Sequence, residues 1–243
     1  MSHPEVPAAR TARQRARDQI TAEIVAAARL RLAEQGPAEL SLRAVARDVG
    51  MVSSAVYRYF ASRDELLTAL LVLAYDDLGG AAEAADASVR ARGDVAARWK
   101  ATLRAIRRWA IAHPSDYALL YGSPVPGYAA PQTTIEPAVR VIVVILRIVT
   151  EGVRVGAIEP GDAGHLAAAP ESAIAGAIGF VRSRELAGDD LPAELIVRTL
   201  MAWTTVFGTI SFELFGHLVG SVSDPDAYFD LVIERLAREI GFR

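Results

Sequence analysis

Ser53, Ser54, Tyr57 and Arg58, with Tyr59 beside them, bring two hydroxyls, two phenols and a guanidinium into one short stretch. On one face of a helix, such groups read base edges and grip phosphate oxygens. Arg58 is the only long cationic donor among them, so a base or adjacent phosphate contact is expected of it. Arg43 and Arg63 fall near the starts of the helices before and after, where helix N-termini favour anions, and both read as phosphate anchors. The solvated face of any helical protein could carry the same side chains. The decision therefore falls to the elements that position them.

Those elements are legible from Ser41 to Leu67, SLRAVARDVGMVSSAVYRYFASRDELL. Ala46, Gly50 and Val56 suit a helix-turn-helix: a small residue for close approach, a glycine where the chain reverses, a branched residue that plugs back into the first helix. Ser41 is placed to cap a helix whose Leu42, Val45 and Val49 mark one buried face. Val56 and Phe60 are i, i+4 neighbours that should face inward. Ser62 and Glu65 form a capping box for the next helix. Spacing, caps and surface chemistry agree, which favours DNA binding over a merely solvated face.

This stretch resembles the DNA-binding domain of TetR-family transcriptional regulators. The likeness rests on AAARLRLAEQG (Ala26–Gly36), VARDVG (Val45–Gly50), the core positions Ala55, Tyr57 and Phe60, and Ser62, Arg63 and Leu66. Val52 departs from the pattern, which usually has a polar capping residue there. Valine cannot cap, so the recognition helix is expected to start at Ser53. The resemblance implies an all-α chain: an N-terminal three-helix DNA-binding domain followed by a larger helical domain for effector binding and dimerisation. The boundaries read as 15–62 for the first, with an arm over 1–14, a connecting helix over 63–80 that breaks at Gly79 and Gly80, and 90–243 for the second.

Composition limits the alternatives. The chain has 243 residues, 52% of them apolar, and no cysteine, which removes disulfides, thiol nucleophiles and Cys-based metal sites. Residues 1–63 hold ten arginines against six carboxylates, a surplus of four positive charges. The remainder holds 16 basic and 23 acidic residues. A basic head on an acidic body fits a DNA-binding module joined to something else. The N-terminus lacks an apolar signal region, and the apolar run Val141–Leu146 is too short to span a bilayer, so a cytoplasmic protein with no membrane partner is expected. No dinucleotide, Walker, zincin or nucleophile-elbow motif occurs, so neither an enzyme nor a cofactor is expected. Glu213 and His217 have a spacing that can hold a metal, but His3, His113 and His165 are scattered. A packed polar pair at an interface is the better reading, and no metal is expected.

Beyond residue 90 only helical patterns are found. Asp94 can cap a helix carrying Trp99, Leu103 and Ile106 that ends at His113-Pro114, and Ser123–Pro131 reads as a loop. Val139–Val155 is β-rich in composition, yet Arg140, Arg147, Glu151 and Arg154 recur on one helical face. A helix is also expected over about 163–186, interrupted by or starting at Pro170. From Pro192 to Gly220 there are two apolar stripes. One reads Ile196, Leu200, Trp203, Phe207, Ile210, Leu214, His217; the other reads Met201, Thr205, Gly208, Phe212, Phe215, Val219. A helix apolar around most of its circumference is buried around most of it, which in a domain this small points to a second chain. The family resemblance implies the same, a homodimer through the last two helices, with Phe212, Phe215, Val219, Phe229, Ile233 and Leu236 at the interface. Trp109, Tyr117, Tyr121, Phe180, Trp203 and Phe207, with His113 and Arg184 as polar groups, are the candidate lining of an effector cavity, although core packing accounts for each singly.

The expectation is a homodimeric repressor that holds a palindromic double-stranded operator and is released by a small apolar or aromatic molecule. An activator, or a regulator that answers to a protein partner, fits the same residues. A helical carrier or enzyme has no catalytic constellation to support it.

Overall fold

The computed structural model describes residues 11–159, 171–186 and 191–243. Among these residues the chain is helical with no strand; a lone bridge joins Ile158 and Phe242. The chain divides into two compact units. One comprises residues up to Leu73 together with Ser123–Pro131; the other comprises Ala74–Gly122 and Gln132–Arg243.

The first unit contains α1 (Ala12–Gln35), α2 (Leu42–Asp48), α3 (Ser53–Val56) and the first turns of α4 (Arg63–Ser88). Thr11 opens α1, its hydroxyl accepting from the Gln14 N–H at 3.2 Å. The helix thus begins three residues before the expected start, and residues 1–10 of the expected arm, Arg10 included, lie outside the described residues. Ile24, Ala28 and Leu32 of α1, Leu42, Val45 and Ala46 of α2, Val56 and Phe60 around α3, and Leu66, Leu67 and Leu70 of α4 are all buried. Gly50 follows α2 with φ +66°, and the Gly50 and Met51 N–H groups return to the Arg47 and Ala46 carbonyls at 3.2 and 2.9 Å. That paired closure satisfies the helix end and requires the left-handed conformation that glycine adopts without strain. An Arg31–Asp48 ion pair holds α1 to α2. The loop Ser123–Pro131 belongs to this unit, and its Tyr128 hydroxyl meets the Thr68 hydroxyl at 2.8 Å.

The second unit is built around α5 (Val95–Ala112), which packs against α7 (Ile135–Arg154), α9 (Ala193–Leu214) and α10 (Pro225–Ile240). Asp94 caps α5 through the Ala97 N–H at 2.9 Å. α6 (Pro114–Tyr121) follows α5, and α8 (Ala175–Ser183) follows a 3-10 turn over Glu171–Ile174. The part of the expected 163–186 helix that contains Pro170 lies outside the described residues. Trp99 anchors the core: it is 1% exposed, and its indole N–H donates to the Ile233 carbonyl at 3.0 Å. Arg98 is buried and pairs with Asp86 at 2.6 Å, which also accepts from Arg92 at 2.7 Å. Burial pushes the Asp86 carboxyl up, but the two guanidinium groups outweigh it and hold the group below the usual carboxylate range.

One expectation needs correction here. α4 does not break at Gly79 and Gly80; it runs through both to Ser88. Gly79 serves close packing. A Cβ on Gly79 would lie 2.8 Å from the Arg140 Cβ, and Arg140 reaches Asp76 at 2.7 Å and Glu83 at 2.6 Å on either side. Gly79 is the notch that admits this arginine; a Cβ on Gly80 would stand 3.9 Å from its guanidinium, an ordinary contact. Among the described residues one helix, α9 at 22 residues, is long and apolar enough to cross a bilayer by length and composition alone, a test that a core helix also passes, and it does not indicate a membrane protein.

Candidate functional site

The outward face of the helix-turn-helix is built from what the core leaves free. α3 turns Ala55 and Val56 inward, and Phe60 follows them into the core at 5% exposure. That fixes Ser54, Tyr57 and Arg58 as exposed, with Ser53 half-buried. α3 starts at Ser53, and Val52 occupies the cap position with no side-chain bond, as the missing cap predicts. The helix is short: after Val56 the chain tightens, with the Arg58 and Tyr59 N–H groups on the Ala55 and Val56 carbonyls at 3.2 and 2.9 Å. Arg58 therefore projects from a tight turn at the end of the helix. Ser62 and Glu65 cap α4 as expected on one side, Ser62 Oγ accepting from the Glu65 N–H at 3.1 Å. In the return bond the Ala61 N–H, rather than that of Ser62, donates to the Glu65 carboxylate at 2.6 Å.

Two clefts flank this face. One is bounded by Ser41, Arg43, Tyr57, Ser62 and Arg63; the other by Arg13, Arg17, Arg58 and Tyr59. Arg43 and Arg58 are exposed with no carboxylate partner among the described residues, so each guanidinium can engage an anion. Tyr59 sits apart from the groove-facing group. It is half-buried, with the Arg17 guanidinium 5.3 Å from its ring centroid, while Arg17 also donates to the Arg58 carbonyl at 3.2 Å. Tyr59 thus joins α3 to α1.

Arg63 is not disposed as a phosphate anchor. Its guanidinium donates to the backbone carbonyls of Leu40 at 3.0 Å, Pro37 at 2.8 Å and Ala38 at 3.2 Å. These carbonyls belong to the 3-10 turn over Pro37–Glu39 and the residue after it, immediately before α2. Arg63 is a staple that places the start of α2 against the start of α4. Its sequence position at a helix N-terminus gave no signal of this, because the partners are backbone atoms more than 20 residues away.

In the second unit, the proposed cavity aromatics do not share one pocket. Tyr117, Tyr121 and Phe207 stack on one another, with centroids 4.5 Å apart for Tyr121–Phe207 and 5.1 Å for Tyr117–Tyr121. The Tyr117 hydroxyl donates to the Phe207 carbonyl at 2.8 Å and meets Ser211 at 3.0 Å. Burial, partly offset by the Ser211 hydroxyl, pushes the Tyr117 phenol up to about 12. Trp109 and His113 pack together elsewhere, 5.1 Å between centroids, with His113 Nδ1 on the Trp109 carbonyl at 3.0 Å. Phe180 and Trp203 do line a cavity, of about 190 Å³, between α7 (Val139, Ile142, Leu146), α8 (Ala177, Phe180, Val181) and α9 (Ile196, Thr199, Leu200, Trp203). Arg184 stands beside it, 5.0 Å from the Phe180 centroid and paired with Glu136 at 2.6 Å.

The two stripes of α9 separate as inside and outside. Ile196, Phe207 and Ile210 are buried, whereas Met201, Thr205, Phe212, Phe215 and Val219 are exposed. The helix ends at Leu214, so Phe215 and Val219 lie in the turn that follows, closed by the His217 N–H on the Phe212 carbonyl at 2.8 Å. Phe229, Ile233 and Leu236 are corrected: they are 1%, 0% and 6% exposed within one chain, so they belong to its own core. α10 instead presents Tyr228 and Leu231 outward. Glu213 and His217 are likewise not a pair. Glu213 receives two bonds from buried Arg107, at 2.7 and 2.6 Å, while His217 lies against the Phe212 ring at 5.1 Å. Arg107 also reaches Asp226 at 2.6 Å; its bonds to Glu213, against the opposing cost of burial, keep it protonated.

A helix-turn-helix with an exposed hydroxyl- and guanidinium-bearing face, on a separate helical body, defines a DNA-binding transcriptional regulator. Comparison with known proteins gives the same class. Residues 24–70 match the model for bacterial regulatory proteins of the tetR family, and residues 99–236 match the tetracyclin repressor-like C-terminal domain. The chain is 44% identical over 225 residues to the HTH-type transcriptional regulator Rv1816 of Mycobacterium tuberculosis, covering 90% of this chain and 91% of the relative. Among solved structures, the regulatory protein SCO4313 is 32% identical, with a TM-score of 0.72 over 93% of this chain and 98% of the other. A protein from Rhodococcus sp. RHA1 follows at 25% identity and a TM-score of 0.67, over 96% and 98%. This chain belongs to the TetR family of transcriptional regulators, and its relatives are regulators rather than enzymes.

Proposed function

We propose that the protein is a cytoplasmic, homodimeric repressor that binds a palindromic operator and leaves it when a small apolar molecule enters its second unit. The observation that carries the DNA half is the outward face of α3. Its inner side is occupied by the core through Ala55 and Val56, while Ser54, Tyr57 and Arg58 stand exposed. Arg58 is the base or adjacent phosphate reader. Arg43 and Tyr57 engage phosphates from the adjoining cleft.

The exposed apolar stripe supports the dimer. Phe212, Met201 and Val219 are 54%, 56% and 84% exposed, and Tyr228 and Leu231 extend the patch onto α10. Large apolar side chains left exposed on neighbouring helices fit an interface. Nothing lies within 4 Å of a Cβ placed on Gly208, so a second helix can approach the middle of the stripe closely. Two-fold symmetry then sets two recognition helices on half-sites about 34–36 Å apart, or a close multiple.

Ligand control is supported by the cavity of the second unit. RolR, a solved structure with 16% identity and a TM-score of 0.52, is bound to resorcinol; at that distance the likeness concerns the fold. A ligand releases DNA only if it binds the DNA-incompetent arrangement better, and by linkage operator then weakens the ligand. The test is titration of the protein with its own upstream DNA, with and without candidate ligands. Operator binding that no ligand weakens, but a protein partner does, would replace ligand control with partner control.

A further inference from the structure

The cavity between α7, α8 and α9 has a chemistry more restrictive than an apolar pocket with a polar anchor. Among the described residues its wall exposes almost no polar atom. The one hydroxyl among the described lining residues, on Thr199, has its proton committed to the Leu195 carbonyl at 2.7 Å, so it has no proton to donate to a ligand. Among the described residues, Arg184, which stands over the lining Phe180, is paired with Glu136 at 2.6 Å. A carboxylate ligand would have to displace Glu136, and an ammonium would have to displace Arg184.

The space is a partly open pocket, too apolar to be a water site. An ordered water needs two to four polar partners, and among the described residues this wall offers at most the Thr199 oxygen. Around it Leu146, Val181 and Ile196 form a small core of their own, with Phe180 and Leu200 half-buried against them. Beside that satellite core lies the partly open apolar space of about 190 Å³. For scale, an engineered cavity of about 150 Å³ in another protein stays dry and takes benzene. Trp203 faces this space and also lies 6.0 Å from Phe207, which belongs to the aromatic stack of the main core.

We propose that this cavity is a site for an uncharged hydrocarbon, the size of an alkylbenzene or a fused bicyclic ring, held by shape and dispersion with no hydrogen-bonded anchor. The proposal names the ligand class within the ligand-relieved reading and rests on it only for the consequence at DNA. Occupation fills the space beside the satellite core and restrains Trp203, and through it the contact with Phe207.

The probes are ethylbenzene and naphthalene, each set against charged counterparts: benzoate, benzylammonium and 1-naphthoate. Binding is read by the unfolding midpoint of the full chain and by tryptophan fluorescence. The hydrocarbons should raise the midpoint by about 5 °C at 100-fold excess over Kd. The charged counterparts should bind at least ~100-fold more weakly, since an ionised group gains nothing from this wall. Ala177→Leu and, independently, Leu200→Phe should fill the space and abolish the response while leaving far-UV helicity intact. In the unaltered protein, bound naphthalene should give intermolecular NOEs to methyl groups of Ile142, Val181 and Leu200. Charged probes that bind as tightly, helical filled variants that still respond, or NOEs to other methyls would each overturn the site. Binding that Ala177→Leu blocks, but that leaves operator affinity unchanged, supports the site and overturns ligand-relieved repression. Failure of both hydrocarbons to bind up to their solubility overturns the site and leaves the DNA reading intact.

Discussion

Replacing Arg63 separates a structural staple from a phosphate ligand. The side chain makes three bonds to carbonyls, at 2.8, 3.0 and 3.2 Å, from a half-buried position. Hydrogen bonds from a charged donor contribute about 1.5–3 kcal/mol when buried, but these three share one guanidinium that water also reaches. A total of about 2 kcal/mol is therefore expected to be lost in Arg63→Gln, a fall of roughly 8–16 °C in the midpoint of the N-terminal unit. Lysine cannot span three carbonyls from one planar group, so Arg63→Lys should recover little. Operator affinity should fall at every salt concentration, because the start of α2 is no longer held. The slope of log K against log salt should not change, because no phosphate contact is removed. A slope reduced by about 0.9 per contact, with the midpoint unmoved, would return Arg63 to the phosphate backbone and refute the staple.

Arg58→Ala should weaken operator binding by about 1–3 kcal/mol and leave non-specific binding little changed; equal losses in a paired titration would place Arg58 on phosphates. Phe212→Glu with Val219→Glu should bring the mass by light scattering down to one chain and abolish operator binding, since both side chains are exposed and the monomer core is untouched. Phe229→Ala should instead cost about 3–5 kcal/mol of stability in urea unfolding, because Phe229 is core; a stable monomer from that change would contradict its placement. Gly79→Ala should destabilise the body by about 1–3 kcal/mol despite alanine's helix propensity, because its Cβ would meet the Arg140 Cβ at 2.8 Å; a gain in stability would show that α4 and α7 are not in close contact. The Tyr117 phenol is pushed up to about 12 from an ordinary value of 10.0, so its contribution is present below pH 10 and lost as pH rises toward 12. Tyr117→Phe should therefore flatten the alkaline fall in stability, and an unchanged alkaline limb would count against the buried phenol.

The helix-turn-helix was legible because its signals are local. Ser62 with Glu65, Gly50 at the turn and the inward pair Val56 and Phe60 all act within a few residues, and each takes its expected part. The absent cap at Val52 likewise located the start of α3. What failed depends on partners far along the chain. Gly79 and Gly80 read as a break because glycine disfavours helix, but the notch Gly79 makes for Arg140 is visible only when α7 is packed against α4. Arg63 read as an anion ligand because its carbonyl partners are backbone. Composition identified the two stripes of α9, but could not divide the last two helices between core and surface. Phe212 and Phe229 are equally apolar, and only the packing of α10 on α5 and α9 buries the second. Aromatic content likewise suggested one pocket where the structure has a packed stack and a separate cavity walled mainly by aliphatic residues.

The most direct measurement is a fluorescence-anisotropy titration of the unaltered protein against its own upstream DNA and a shuffled duplex of the same composition, across a salt series. A homodimeric repressor reading bases through α3 predicts saturation at two chains per site. It also predicts a preference of at least ~10³-fold for the natural sequence that persists at physiological salt. Equal affinity for both duplexes, vanishing together as salt rises, would contradict it: the exposed face of α3 would then grip phosphates without reading sequence.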